Sequence, residues 1–338
     1  MGVTGLSRAR GRGISRYGSL NCGAGYSLYI ASRCNPEFTL SGNPFSLADT
    51  TAYRHWRQAR LDRYPVAAEA IRVAIDGAEL SAAEQQALLE QVWRCNMVIY
   101  RLNDPDRGDK AFVRELGRRL GLERLDGNLC ADEDAITSLQ VRDVGRHAGY
   151  IPYTNRRLSW HTDGYYNRPE QAIRGILMHC VRDAAEGGEN LLLDHELVYI
   201  QLRDADPRFI EALQHPQAMT IPPNVENGQE IRAEQGGPVF SLDPRGNLHM
   251  RFSARTRNIV WRDDPATQEA VACLNELLTP NNPYVIRYRL NPGEGIICNN
   301  VLHNRTEFTD HADPEQGRLL YRARYYDRIS NTDLNQGS

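Results

Sequence analysis

The chain has 338 residues, a formal net charge of −3, 41% hydrophobic and 25% charged residues. That is ordinary globular composition, long enough to bury a large core without disulfide staples, and it excludes the disordered and fibrous classes. The near-neutral charge lacks the basic excess of a nucleic-acid binder, and the longest uncharged stretch, 17–32, is too rich in Gly, Ser and Asn to span a membrane.

Residues 1–36 contain no acid but carry Arg8, Arg10, Arg12, Arg16 and Arg33 among Gly and Ser. With no apolar face recurring every 3.6 residues, they read as a disordered extension rather than a targeting peptide. Ser81-Ala-Ala-Glu84 is a capping box, and the apolar spacing behind it predicts a helix to about Cys95. Met97-Val-Ile-Tyr-Arg-Leu102 reads as a buried strand, 109–121 as a helix stopped by Gly121, and Ser138–Arg142 as a strand. Residues 37–150 are therefore an α/β front. Beyond 150 the signals change to short strands, expected at 173–181, 190–194, 218–221, 238–242, 248–252, 257–261, 284–290, 295–299 and 318–326. Asp243-Pro-Arg-Gly246 and Asn291-Pro-Gly-Glu-Gly295 are hairpin signals. Helical stretches interrupt the strands at about 195–214 and 265–278. Many short strands at close spacing suggest a barrel or a double-sheet jelly roll.

The seven cysteines are Cys22, Cys34, Cys95, Cys130, Cys180, Cys273 and Cys298, with no Cys-x-x-Cys among them. A disulfide framework and a thiolate zinc site are both disfavoured, and a reducing, cytoplasmic compartment is expected. His195-Glu196 opens a zinc-protease-like pattern, but Tyr199 stands where the second His would be needed.

In Ser159-Trp160-His161-Thr162-Asp163-Gly164, residues i and i+2 share a face only if the stretch is extended. His161 and Asp163 could then hold one first-row divalent metal. The pattern alone is weak, because His311-Ala-Asp313 repeats it inside a polar, Pro- and Gly-bearing run that reads as a solvated loop. Downstream of the first copy come His303, at the end of Ile296–His303, and then Arg318, Arg322 and Arg324, which share a face of one predicted strand. Leu319, Tyr321, Ala323 and Tyr325 line its other face, so the strand by itself leaves either face open to the inside.

His-x-Asp, a distant His and a final-strand Arg resemble the iron(II)/2-oxoglutarate dioxygenases, and within them the taurine dioxygenase (TauD/TfdA) family with its clavaminate synthase-like relatives. Trp160-His-Thr-Asp163 and Leu302-His-Asn-Arg305 read like that family's two metal segments. The resemblance spans about 50–327. It implies a mainly β fold with α: a double-stranded β-helix (jelly-roll) core over 151–327 with helical insertions, flanking helices and the α/β N-terminal portion, all in one dioxygenase domain over 37–338. It implies iron(II) on His161, Asp163 and His303, with 2-oxoglutarate and dioxygen as cosubstrates and Arg318 on the distal carboxylate of 2-oxoglutarate. Asn190, in Gly187-Gly-Glu-Asn190, stands where the family often has a cosubstrate-binding Thr. Arg322, with Arg324 as a substitute, is the candidate for an acidic group on a small-molecule substrate, and Tyr165 is a candidate pocket residue. The reaction implied is hydroxylation of a small anionic or amino-acid-like compound, with succinate and CO2 released. Neither nucleic acid nor membrane is an expected partner, and homo-oligomer formation is left open. The competing reading is a non-catalytic cupin-like binding protein.

Overall fold

The computed structural model describes residues 42–334, apart from Val66, Ala78, 128–131, Glu133, 142–150, Asn227 and 256–258. The expected extension at 1–36 lies outside the described residues, as do Cys22, Cys34 and Cys130.

The front begins with a helix, Thr50–Arg63, which the sequence reading did not anticipate. The capping box forms as expected: the Ser81 side chain accepts from the Glu84 N–H, and Glu84 reaches back to the Ser81 N–H. Behind it Ala82–Cys95 is helical and buries Leu88, Leu89, Val92 and Cys95. Lys110–Arg119 follows, capped by Asp109, and the chain turns at Gly121 with φ of 77°. Met97–Leu102 alternates Met97 and Ile99 into one apolar cluster with Val98, Tyr100 and Leu102 into another. A near-continuous apolar run is what a strand covered on both faces requires.

Among the described residues, two sheets organise the molecule. The larger runs Arg72–Ile75, Met97–Leu102, Glu294–Cys298, Gly175–Arg182, Leu319–Tyr325 and Thr137–Leu139. One of its faces packs on the front helices through Val98, Leu177, Ile297 and Ala323. The other, through Ile99, Met178, Ile296 and Leu320, meets the smaller sheet at Leu192 and Ile286. The smaller sheet runs Ile286–Tyr288, Asn190–Leu193, Leu302–Arg305 and Leu158–His161, antiparallel throughout. Its far side, with Leu191, Leu193 and Leu302, lies against helices His195–Ala205, Pro207–Leu213 and Pro265–Leu277 and a set of short strands between 219 and 261.

Two expectations need correction. The predicted helix at 195–214 is two helices, because Asp206 caps a new N-terminus and Pro207 occupies its first turn. The Asn291–Gly295 turn joins no hairpin: Ile286–Tyr288 and Glu294–Cys298 belong to different sheets, and the chain crosses between them with Gly293 at φ of 82°. The strands lie in separate sheets rather than one closed barrel, so the coarse expectation of a β-rich α/β fold is what the structure displays. Asp243–Gly246 does turn the expected hairpin, Phe240–Leu242 to Leu248–Met250. Cys95, Cys180, Cys273 and Cys298 are all unbridged, and no helix among the described residues is long and apolar enough to cross a membrane.

Candidate active site

The two candidate metal segments meet by strand pairing. Leu158–His161 and Leu302–Arg305 are antiparallel neighbours, and His161 stands directly opposite His303, with ring centroids 4.3 Å apart. Asp163 follows as the chain turns through Gly164, and its Oδ1 lies 3.6 Å from His161 Nε2. One donor atom from each of His161, Asp163 and His303 falls within 4.8 Å of the others, and all three residues are buried.

The rings are held in one tautomer by the main chain. His161 Nδ1 sits 2.9 Å from the Ser159 carbonyl, and His303 Nδ1 sits 2.9 Å from the Val301 carbonyl. A carbonyl can only accept, so each Nδ1 carries the proton and each Nε2 keeps its lone pair for a metal. Burial, then the neighbouring His161, pushes His303 down to about 4, so it is neutral at ordinary pH. Burial would raise Asp163, but Arg322 beside it, with His161, holds the carboxyl well below the usual carboxylate range. Two imidazoles with Nδ1 tied to carbonyls and one carboxylate whose buried Oδ2 accepts no hydrogen bond are a donor set that fits a divalent first-row metal.

Asn300 is a residue of the candidate site that the sequence reading missed. It is buried with φ of 48°, in the turn before His303. Its Oδ1 accepts the Asp163 N–H at 2.8 Å, and its Nδ2 donates to the carbonyls of Asp163 and Ile173. One amide thus ties the Asp163 backbone to the turn that delivers His303. The adjacent Asn299 and Asn300, four and three positions before the candidate ligand His303, were the available hint, since Asn tolerates this conformation. Asn300→Gly keeps the backbone and removes the three bonds, and it should weaken divalent-metal affinity about 10–100-fold. Titration of the purified variant with iron(II) under nitrogen reads this directly; unchanged affinity contradicts it.

Beside His303 a cavity, open at its mouth, is lined by Asn190, Arg305, Arg318, Leu320 and Arg322 among others. The smaller sheet contributes through register, with His303 opposite Leu192 and Arg305 opposite Asn190. The Arg-bearing face of Leu319–Tyr325 therefore does point inward. Arg318 lies over the Phe308 ring at 5.0 Å, with Arg305 over the same ring at 4.8 Å. No described carboxylate lies within ion-pairing distance of Arg318 or Arg305. Burial lowers Arg318, and burial followed by Arg318 itself pushes Arg305 down to about 9. The Asn190 Nδ2 is buried without a partner. Gly187 has φ of 72°, and a Cβ there would come 2.3 Å from the Glu307 carbonyl, so the turn into Asn190 demands glycine. The cavity is cationic and carries an idle amide donor, a fit for a dicarboxylate.

The remaining predicted residues have other partners. Arg322 donates from Nη1 to Asp163 Oδ1 at 3.3 Å and forms an ion pair with Oδ2 at the same distance, which places it on the candidate metal carboxylate as well as on the cavity wall. Arg324 is spent on an ion pair with Asp126 and on the Tyr166 hydroxyl. Tyr165 packs edge-on against Tyr166 beside the far-side core and is absent from the cavity lining. His311 and Asp313 are exposed, and Asp313 caps a short turn at Pro314–Gln316.

Residues 59–324 match the family model described as taurine catabolism dioxygenase TauD, TfdA family. The chain is 30% identical over 206 residues to a uridine-5'-phosphate dioxygenase of an Amycolatopsis species, covering 58% of this chain and 70% of that one. It is 24% identical over 208 residues to human gamma-butyrobetaine dioxygenase, covering 58% and 49%. In fold it is similar to an asparagine oxygenase (TM-score 0.52, 18% identity, 86% of each chain). It is likewise similar to the non-haem iron oxygenase OrfP solved with iron, succinate and a hydroxyarginine (TM-score 0.55, 17% identity, 73% of this chain and 82% of that one).

Proposed function

The chain belongs to the taurine catabolism dioxygenase TauD/TfdA family, and from that premise we propose that it oxidises a small anionic molecule with iron(II), 2-oxoglutarate and dioxygen. The observation that carries this reading is the cationic cavity, with Arg318 and the idle Asn190 amide, opening directly beside the His161–Asp163–His303 donor set.

His161, Asp163 and His303 would hold iron(II). Three protein donors leave open positions on such a metal. Bound there with its keto-acid cosubstrate, iron(II) supplies the activation of dioxygen, with succinate and CO2 released. The protein's own work is to position and exclude. Arg318 offers a planar fork to the distal carboxylate of 2-oxoglutarate, and Asn190 donates its free N–H beside it. Phe308 braces the guanidinium from below. Ser159 and Val301 keep the imidazole protons away from the donor nitrogens. Leu320 and Met178 wall the cavity with apolar surface, which strengthens each of these contacts by excluding water.

The two facing sheets correspond, in this reading, to the halves of a double-stranded β-helix core within one domain over 37–338. Unbridged cysteines support a reducing, cytoplasmic location. The relatives named for uridine 5'-phosphate and gamma-butyrobetaine support a small-molecule substrate.

The test is spectroscopic and chemical. With iron(II) and 2-oxoglutarate under nitrogen, the protein should show the weak visible charge-transfer band of a chelated keto acid, and it should form succinate once air is admitted. Absence of both would favour the cupin-like binding protein.

A further inference from the structure

Resting on the oxygenase reading above, the substrate's own charge can be inferred from cations that neither the metal nor the cosubstrate site uses. Arg251 spreads its guanidinium over backbone carbonyls: Nε to Tyr165 at 2.7 Å, Nη1 to Met219 at 2.9 Å and Gly237 at 3.3 Å, and Nη2 to Gln235 at 2.7 Å. It thereby fastens the strands Met219–Ile221 and Gln235–Gly237 to the segment that leaves Asp163. Carbonyls satisfy its hydrogen bonds but leave its charge uncompensated. Arg232, closing the strand Gln229–Arg232, stands 5.8 Å from the ring of Tyr166. Its Nη2 donates to the Pro222 carbonyl at 2.8 Å, while its Nη1 is buried with no partner. Neither Arg232 nor Arg251 forms an ion pair with a described carboxylate. The two guanidiniums feel each other: burial, then Arg232, pushes Arg251 down to about 10.

Tyr166 lies three residues beyond Asp163. Its hydroxyl oxygen accepts from Arg324 Nη1 at 2.9 Å, so its own proton is free to be donated. Arg324 itself is neutralised by Asp126 and adds no excess charge. What remains beside the outgoing metal segment is two positive charges, one idle guanidinium N–H and one idle hydroxyl proton. A carboxylate would offset one charge, whereas a phosphate monoester carries close to two at neutral pH and offers three acceptor oxygens.

We propose that Arg232 and Tyr166, with the charge of Arg251 behind them, form the subsite for a phosphate monoester on the substrate. Arg232 Nη1 and the Tyr166 hydroxyl donate to its oxygens, and the Tyr166 ring holds the guanidinium in place. This assigns the substrate's anion to Arg232 and leaves Arg322 to Asp163.

The experiment uses the full chain loaded with iron(II) and 2-oxoglutarate under nitrogen, with uridine 5'-phosphate and its phosphate-free nucleoside uridine as paired probes in calorimetry. The wild type should bind the phosphate at least about tenfold more tightly than the nucleoside, the range expected for one charge-assisted contact. Arg232→Gln should abolish that preference while leaving uridine affinity as it was, and Arg232→Lys should recover part of it. A wild type that binds neither probe, or shows no preference, overturns the proposal, as does an Arg232→Gln variant that keeps the preference. Succinate formation by the same wild-type preparation in air separates the two levels: none at all sinks the oxygenase reading, whereas succinate without phosphate preference sinks the phosphate subsite alone.

Discussion

Replacing His303 with alanine is expected to remove iron binding and turnover together, with the same outcome for His161→Ala and Asp163→Ala, while His311→Ala leaves both at the wild-type level. The reason is geometric. His161 and His303 are direct cross-strand partners, and Asp163 is delivered to them by a turn that Asn300 pins. Each contributes one of three donors, and outer-shell supports alone typically account for 10–100-fold in affinity, so loss of a donor should exceed that range. His311 is exposed on a polar loop where Asp313 is already engaged as a cap. Iron titration and succinate measurement on the four variants decide it. Retained iron in His161→Ala together with its loss in His311→Ala would reverse the assignment of the two His-x-Asp copies.

What could be read in advance follows from how local each signal was. Ser81 and Glu84 interact within one turn, so the helix they open could be placed from four letters. Met97–Leu102 announced itself because both of its faces are buried. The His161–Asp163 pair was legible as an i, i+2 spacing, although Asp163 lies in the turn past the end of Leu158–His161 rather than on the strand, and its meeting with His303 came only through the resemblance, since cross-strand register over 142 residues leaves no mark on either segment. The inward direction of the Arg318–Arg324 face was undecidable from the strand alone: Ala323 and Tyr325 on the opposite face are buried just as deeply. Asp126, which neutralises Arg324, lies 198 residues away and carried no signal. The same holds for Arg251, whose partners are carbonyls and therefore independent of side-chain identity. The helix Thr50–Arg63 was missed because arginines interrupt its apolar face. One of them, Arg60, is itself buried on Asp194 and Glu196, a charge in a position that patterning reserves for apolar residues.

Arg318 and Arg322 lie four residues apart on one strand face, and the structure separates their expected phenotypes. Arg318→Ala should leave iron affinity intact and raise the 2-oxoglutarate KM at least about tenfold, since a charged contact is worth ~1.5–3 kcal/mol. Arg318→Lys should restore little, because a point charge cannot reproduce the two-pronged fork. Arg322→Ala removes the only described guanidinium on Asp163, both groups being under a tenth exposed. Breaking one side of a buried ion pair costs ~3–5 kcal/mol, so the metal-free protein should melt well below wild type. The sign with pH is fixed by Asp163: its carboxyl is held below its ordinary range, so this stabilisation is present at neutral pH and is lost as pH falls through the depressed value. The melting difference between wild type and Arg322→Ala should therefore shrink on acidification. Iron(II), which supplies a replacement positive charge, should narrow the gap at neutral pH. Substrate-free succinate formation should fall in Arg322→Ala through a disordered carboxylate donor, with the 2-oxoglutarate KM changed far less than in Arg318→Ala. An Arg322→Ala protein that melts like wild type without metal and turns over 2-oxoglutarate normally would make the Asp163 contact incidental, and would return Arg322 to the substrate.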